Sequence, residues 1–182
     1  MITGRPQKDL HAAKIYFRKH LMCGDYYSEN KTVQGQWVGK GAERLGLNLD
    51  APVAEKDYLR LCDNRHPVTG KLLTVRNRKK ERRVFYDFVA SAPKSISLMA
   101  LTVGDSRIVT AHDEATRIAL TRMEKAAATR VRQKGLRTER PTGEITAAIF
   151  QHRESRALDP QLHTHLVVFN ATWDPVEKRV VS

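Results

Sequence analysis

Residues 151–170 read QHRESRALDPQLHTHLVVFN, and this stretch decides the fold of the chain. It runs from His163-Thr164-His165 into a leucine, two valines and a phenylalanine. A segment this rich in β-branched and aromatic residues, entered from a turn, predicts a buried strand. Because alternate side chains of a strand share a face, we expect His163 and His165 to point one way and Thr164 to point the other.

A third histidine belongs to the same part of the predicted sheet. Residues 145–152 predict a neighbouring strand, which would bring His152 beside the other two. Three neutral imidazoles on one sheet face form a site for a divalent metal with open positions for a substrate. The alternative is that each is an ordinary core or edge residue, the usual role of a lone strand histidine.

The composition favours a single basic domain. The chain has 182 residues, with 32 Lys and Arg against 20 Asp and Glu, so its formal net charge is +12. This length fits one compact domain. The excess of positive charge favours a polyanionic partner, because Lys and Arg replace the counterions condensed on phosphates. A generic basic soluble protein is the alternative.

The two cysteines and the hydropathy pattern bear on the compartment. Cys23 and Cys62 do not form the framework of a small secreted protein, so both are predicted to be reduced thiols in a cytoplasmic protein. The sequence shows neither a long apolar run nor a signal-like start. It therefore predicts neither a membrane span nor export.

The remaining segments predict an α+β fold. Residues 1–8 predict no element, and residues 137–143 predict a polar loop. The order strand, helix, helix, strand, strand indicates an antiparallel sheet backed by helices. Helices are predicted at residues 9–22, 51–62, 93–104 and 105–133, and strands at residues 72–75, 84–90, 145–152, 163–169 and 179–181.

Basic residues away from the histidines are candidates for contact with a DNA backbone. Arg76 and Arg78 belong to a basic run that predicts a hairpin or flap, with a solvated face as the alternative. Lys94 lies at a predicted helix start, where unpaired amides favour a phosphate. Lys40 lies in a glycine-rich turn that either approaches a phosphate or only packs as a loop.

The order His152, then His163-x-His165 preceded by Asp-Pro-Gln-Leu, resembles the metal motif of conjugative relaxases. The similarity is to the TrwC-like, MobF type within the HUH endonucleases. Three further stretches are similar to the same family and lie in the family's order. They are DYY at residues 25–27, QWVGKGAERLGL at residues 36–47 and DFVASAPKS at residues 87–95.

The resemblance implies a fold and a domain organisation. Relaxases of this family have a palm-like, five-stranded antiparallel sheet with helices on its back and a metal on its open face. Residues 1–182 would form a single relaxase domain. Because the chain stops directly after the strand predicted at residues 179–181, we expect a C-terminally truncated, N-terminal fragment of a longer relaxase or relaxase-helicase.

The resemblance also implies the reaction. A divalent metal on His152, His163 and His165 polarises a scissile phosphate at an origin of transfer. A tyrosine attacks the phosphorus and stays attached as a 5′-phosphotyrosine, and attack by a 3′-OH can religate the strand.

The motifs identify the attacking tyrosine less clearly than they identify the metal ligands. The family commonly carries two tyrosine pairs, of which the second is intact here as Tyr26-Tyr27 and the first is reduced to Tyr16-Phe17. We therefore rank the candidates Tyr26, Tyr16 and Tyr27, in that order.

Asp87 is assigned through the same motifs, and two arginines are further candidates for binding DNA. Asp87 matches the family's acidic residue, which either accepts the phenolic proton or fixes the tautomer of a metal-bound histidine. Arg153 and Arg156 are candidates for gripping flanking phosphates, with surface ion pairs as the alternative.

The resemblance implies cofactors, partners and a location. Mg²⁺ or Mn²⁺ is expected as the metal, with Zn²⁺ or Ni²⁺ as ions that crystals could contain. The partners would be single-stranded DNA at an origin of transfer, accessory relaxosome proteins and a type IV secretion coupling protein. The chain would act as a monomer in the bacterial cytoplasm and move with the DNA into a recipient cell.

Two other functions fit the same residues. A rolling-circle replication initiator shares the His-x-His metal site, and a DNA-binding module with a structural metal would need no nucleophile. A generic metal phosphohydrolase, which would form no attached product, fits least well.

Overall fold

The computed structural model describes residues 1–22, 33–75, 82–133, 136–155 and 157–182. The helices are α1 Leu10–Tyr16, α2 Lys40–Arg44, α3 Glu55–Cys62, α4 Lys94–Leu101 and α5 Ser106–Lys125, with a π-helical turn at Phe17–Leu21. The strands are β1 Ile2–Gln7, β2 Gln36–Val38, β3 Phe85–Ser91, β4 Ala128–Gln133, β5 Leu136–Pro141, β6 Ala147–Glu154, β7 Pro160–Phe169, β8 Thr172–Asp174 and β9 Arg179–Val181.

The predicted α+β architecture is confirmed. Five strands form one sheet in the order β1-β3-β7-β6-β2, and each neighbouring pair is antiparallel. The neighbouring strands β6 and β7 pair from Ala147 opposite Val168 to His152 opposite His163. This pairing fixes which residues of the deciding stretch share a face.

Both faces of the sheet are covered by helices. On one face, aromatic residues from the strands pack against Phe17 of the π-helical turn and Tyr58 of α3. On the opposite face, Leu166 and Ala147 cluster with Leu120 of α5. Strands β6 and β7 are therefore covered on both sides where they run as AAIF at residues 147–150 and LVVF at residues 166–169, which explains these unbroken apolar runs.

The N-terminal helix and the fourth helix begin where the sequence predicts. Asp9 caps α1, because its carboxylate accepts a hydrogen bond from the backbone amide of Ala12 at 2.9 Å. Pro93 immediately precedes α4, a position where its missing amide proton is tolerated. The strand predicted at residues 179–181 is also confirmed as β9, which pairs with β8.

Residues 1–8 contain a strand that the sequence did not indicate. β1 pairs along its whole length with β3, from Ile2 opposite Ala90 to Gln7 opposite Phe85. It lies at the sheet edge and is mostly exposed, so its side chains carry no alternating apolar pattern. Pro6 is compatible with such an edge position.

The prediction of a helix to residue 133 and a loop over residues 137–143 was wrong. α5 ends at Lys125, and β4 pairs with β5 as a separate two-stranded ribbon. Alternating Thr129 and Val131 favour a strand there. The ribbon is anchored where Arg140 donates to the buried carboxylate of Asp174 at 2.5 Å.

The strand predicted at residues 72–75 is reduced to one isolated bridge between Leu72 and Arg65. The helix predicted at residues 51–62 is shorter, since α3 begins at Glu55. No helix among the described residues is long and apolar enough to cross a membrane.

The buried hydroxyl of Tyr58 allows a test of what stabilises the core. Its hydroxyl is buried and has no hydrogen-bond partner among the described residues. Because an unsatisfied buried hydroxyl destabilises a protein, Tyr58→Phe should raise the free energy of unfolding by about 1 kcal/mol. Chemical denaturation would measure it, with Tyr86→Phe as the control, since Tyr86 accepts a hydrogen bond from Arg83 at the surface. A loss of stability in Tyr58→Phe would contradict the expectation.

Candidate active site

The three predicted histidines lie together on one face of the sheet. His152 on β6 is the direct register partner of His163 on β7. The ring centroids are 5.3 Å apart for His152 and His163, 5.4 Å for His152 and His165, and 5.2 Å for His163 and His165. Thr164 points to the opposite face, where it contacts His112 of α5. The strand alternation predicted from the sequence is confirmed.

The spacing of the rings fits one shared ion. Three imidazole nitrogens placed tetrahedrally at about 2.1 Å from a metal would put the ring centroids about 5 Å apart. Among the described residues, no group of three His, Cys, Asp or Glu side chains has a geometry that would hold an ion as it stands.

Hydrogen bonds fix which nitrogen of two histidines is available. Nδ1 of His165 lies 3.0 Å from both carboxylate oxygens of Asp87. Nδ1 of His163 lies 3.0 Å from the carbonyl oxygen of Gln161. Because carboxylates and carbonyls accept hydrogen bonds, Nδ1 carries the proton in each ring and leaves the lone pair on Nε2. This second contact is how proteins orient metal-binding imidazoles.

Tyr16 brings a phenol to the same carboxylate. Its hydroxyl donates to Oδ2 of Asp87 at 2.6 Å and lies 3.3 Å from Nδ1 of His165. Tyr16 is the last residue of α1, and the π-helical turn that follows buries Phe17 and Leu21 in the core. The side chain is therefore held at the site by a packed helix end.

Asp87 makes both contacts that the sequence left as alternatives. It reaches the phenol and the imidazole at once because it lies on β3, next to the strand that carries His165. The resemblance names Asp87 as an acceptor for a tyrosine and ranks Tyr16 second, and the fold brings these two residues together across 71 positions of sequence.

The other described tyrosines do not reach the histidines through any observed contact. Burial raises the pKa of Tyr58 well above its ordinary value, so this phenol stays protonated. Tyr86 contacts Arg83 and Phe88. Tyr26 and Tyr27 lie in residues 23–32, outside the described part of the chain, so the preference for Tyr26 stays a prediction.

The structure describes three of the predicted DNA-binding residues, namely Lys40, Lys94 and Arg153. Lys94 is exposed and lies 3.8 Å from the carboxylate of Asp159. Arg153 follows His152 directly, where the register of β6 shifts. Arg76, Arg78 and Arg156 lie outside the described residues.

The glycine-rich turn at Lys40 uses its backbone for packing. The Lys40 amide donates to Glu124 at 2.7 Å, and the Gly41 amide donates to the Ile145 carbonyl at 2.9 Å. A Cβ on Gly41 would lie 2.5 Å from the Thr146 hydroxyl. These amides are therefore occupied within the protein, and only the exposed Lys40 side chain remains for a phosphate.

Sequence reasoning missed the arginines of the β4–β5 ribbon. Arg130 and Arg132 alternate with Thr129 and Val131 on β4, and Arg137 lies directly opposite Arg132 on β5. All three arginines are exposed. The alternation of β-branched and basic residues was a usable signal, but the preceding helical pattern masked it.

Comparison with known proteins places these observations in a family. The family model described as TrwC relaxase matches residues 10–180. Two curated relatives, both multifunctional conjugation protein TraI, come from Escherichia coli and its strain K12. They are 39% and 38% identical over 166 residues. The match covers 88% of this chain but 9% of each relative, so the chain spans only a small part of their length.

Solved structures agree along the whole chain. The metal-bound complex of conjugative relaxase TrwC with oriT DNA has a TM-score of 0.79 at 32% identity, and a copper-bound complex has 0.81 at 31%. Both cover 100% of this chain and 61% of the solved chain. TrwC with a 27-mer containing the recognition hairpin and the cleavage site has a TM-score of 0.76 at 31% identity, covering 59% of the solved chain.

Proposed function

Since this chain belongs to the TrwC relaxase family, we propose that it cuts one strand of DNA at an origin of transfer by tyrosine transesterification. The observation that carries the proposal is the contact of Tyr16 with Asp87, which also holds His165 of the histidine cluster. A nucleophile, a base and candidate metal ligands thus meet at one point of the sheet, as covalent nucleophilic catalysis requires.

Tyr16 is the proposed nucleophile in place of the sequence-based preference for Tyr26. A free phenol has a pKa of about 10, so it needs an acceptor for its proton as it attacks. The carboxylate of Asp87 lies 2.6 Å from the phenolic oxygen, close enough to accept that proton. The phenolic oxygen forms a bond to phosphorus, and the bond from phosphorus to the 3′-oxygen breaks. The leaving oxygen takes a proton, and the 5′ end remains attached to Tyr16.

His152, His163 and His165 are the proposed ligands of a divalent ion, Mg²⁺ or Mn²⁺. A divalent ion bound there would supply positive charge to the scissile phosphate. Asp87 keeps His165 in the tautomer that offers Nε2, and the Gln161 carbonyl does the same for His163. Asp87 therefore both receives a proton and orients a ligand.

The β4–β5 ribbon is a proposed contact surface for the DNA backbone. Arg132 and Arg137 are opposed across the ribbon and exposed. Like charges directly opposite each other destabilise a β-ladder. An anionic partner would remove that repulsion, and a two-stranded ribbon has a size that fits a DNA groove.

Replacing both Arg132 and Arg137 by glutamine should weaken binding of an origin oligonucleotide by about 10-fold or more. The slope of log affinity against log salt should become shallower by about 1 to 2, because the variant neutralises fewer phosphates and so releases fewer counterions. Fluorescence anisotropy over a salt series would measure both. The control is Arg122→Gln/Lys125→Gln, which removes the same charge from the end of α5. Equal effects of the two double variants would argue for net charge alone.

We further propose that accessory relaxosome proteins and a type IV coupling protein act with this chain. The proposed location is the bacterial cytoplasm, with transfer into the recipient on the attached strand. The curated relatives are named as multifunctional conjugation proteins, which supports this setting.

The experiment that tests the function uses a single-stranded oligonucleotide carrying the cognate transfer origin and Mn²⁺. The expected result is a denaturant-resistant protein–DNA adduct that disappears with a chelator, with the DNA linked to Tyr16 by peptide mass spectrometry. Tight binding without any adduct would instead indicate a DNA-binding module. Hydrolysed DNA without an attached protein would indicate a metal phosphohydrolase.

A further inference from the structure

Two residues behind the histidine cluster are held by neighbouring residues of one helix. Gln151 on β6 and Thr164 on β7 are direct register partners. They lie one position from the pair His152 and His163, and strand alternation turns them to the opposite face. Whatever holds this second pair therefore also acts on the backbone that carries the histidines.

The second pair is bonded to consecutive residues of α5. The hydroxyl of Thr164, which is 2% exposed, lies 3.0 Å from Nε2 of His112. The side-chain amide of Gln151 donates to the carboxylate of Asp113. α5 thus contacts both strands at one level of the sheet, opposite the predicted metal ligands.

The location of these bonds matters because the regular pairing of β6 and β7 is interrupted next to them. The β6–β7 register shifts between His152 and Glu154, directly after the His152–His163 pair. Pairing resumes at Glu154 opposite Pro160, so the histidine pair borders an irregularity of the ladder. A bond from α5 supplies a further constraint on the backbone beside this irregularity.

The mechanism does not use His112, yet its environment suits a structural bond. Burial lowers its pKa, so the ring is neutral near pH 7 and offers one donor and one acceptor nitrogen. Its backbone carbonyl accepts the Thr116 hydroxyl at 2.8 Å within the helix. The ring is therefore carried on an ordered turn of α5.

We propose that His112 is a positioning residue for the metal centre and acts through the Thr164 hydroxyl to set the spacing between the imidazoles of β6 and β7. This inference rests on the proposed function in one respect, namely that the three histidines bind an ion. Outer contacts of metal ligands typically change metal affinity by about 10- to 100-fold, and Thr164 is one peptide bond from two of the ligands.

The test measures Mn²⁺ affinity of the DNA-free protein by isothermal titration calorimetry. Thr164→Val removes the hydroxyl at nearly constant volume and should weaken binding by about 10-fold. Thr164→Ser keeps the hydroxyl and should stay close to wild type. His112→Leu should match Thr164→Val, and the double variant should be no weaker than either single variant, because both remove the same bond.

Thr121→Val is the control, since it removes a hydroxyl of the same helix that donates to the Arg117 carbonyl, away from His112. It should leave Mn²⁺ affinity unchanged. Unchanged affinity in both Thr164→Val and His112→Leu, or equal losses in Thr164→Ser and Thr164→Val, would overturn the positioning role. A wild-type protein that does not bind Mn²⁺ would refute the proposed metal centre itself, so the two failures are distinguishable.

Discussion

Replacing Tyr16 by phenylalanine is expected to abolish the covalent DNA adduct and to lower strand cleavage by at least about 1,000-fold. The substitution removes the only atom of this side chain that can attack phosphorus, while the ring keeps its contacts with His20 and Phe85. Folding and metal affinity should therefore remain close to wild type. Denaturing gel electrophoresis of the cleaved oligonucleotide measures the adduct directly.

Tyr26→Phe and Tyr27→Phe are the matched controls, because each removes one phenolic hydroxyl from the paired tyrosines. Either alone should leave the first cleavage event within about 10-fold of wild type, since neither would be the first nucleophile. An adduct that persists in Tyr16→Phe and is lost in Tyr26→Phe would assign the attack to Tyr26 and reduce Tyr16 to a partner of Asp87.

Replacing His163 by alanine is expected to have the second largest effect. It removes the ring that pairs with His152 and leaves two of the three proposed ligands. The loss in Mn²⁺ affinity should be at least about 100-fold, because a direct ligand contributes no less than the outer contacts that orient it. Cleavage at limiting Mn²⁺ should fall in proportion, whereas oligonucleotide binding in the presence of a chelator should not change.

The control for this experiment is His11→Ala, which removes an exposed histidine of α1. It should bind Mn²⁺ as wild type does, which would exclude nonspecific binding to surface imidazoles. Equal affinity in His163→Ala and wild type would place the ion elsewhere. Loss of oligonucleotide binding without metal would indicate that His163→Ala disturbs the fold.

The histidine cluster could be predicted because its determinants are local. The alternation of His163, Thr164 and His165 requires only a strand, and the neighbouring strand with His152 follows closely in sequence. The contact of Tyr16 with Asp87 could not be predicted in this way. It depends on the pairing of β1 with β3, which places α1 beside β3, and no residue near Tyr16 or Asp87 indicates that pairing.

Two other elements were not predicted because the signals for them are also not local. β1 is recognisable only through its pairing with β3, because an exposed edge strand needs no apolar side chains. The β4–β5 ribbon follows a helix without an intervening proline, so a helical pattern appeared to continue through Thr129 and Val131. The motif-based similarity to relaxases nevertheless identified the five-stranded sheet correctly, because its stretches lie along most of the chain.

The direct opposition of His152 and His163 has a consequence for how this protein can vary. Inserting or deleting a single residue between Pro160 and His163 would turn His163 and His165 to the sheet face that contacts α5. The same change would place Thr164 on the face that carries His152. A point substitution elsewhere in β7 alters the packing of one side chain. A change in length would instead move every following side chain of β7 to the opposite face of the sheet. Variation in chain length should therefore be confined to the turn before β7.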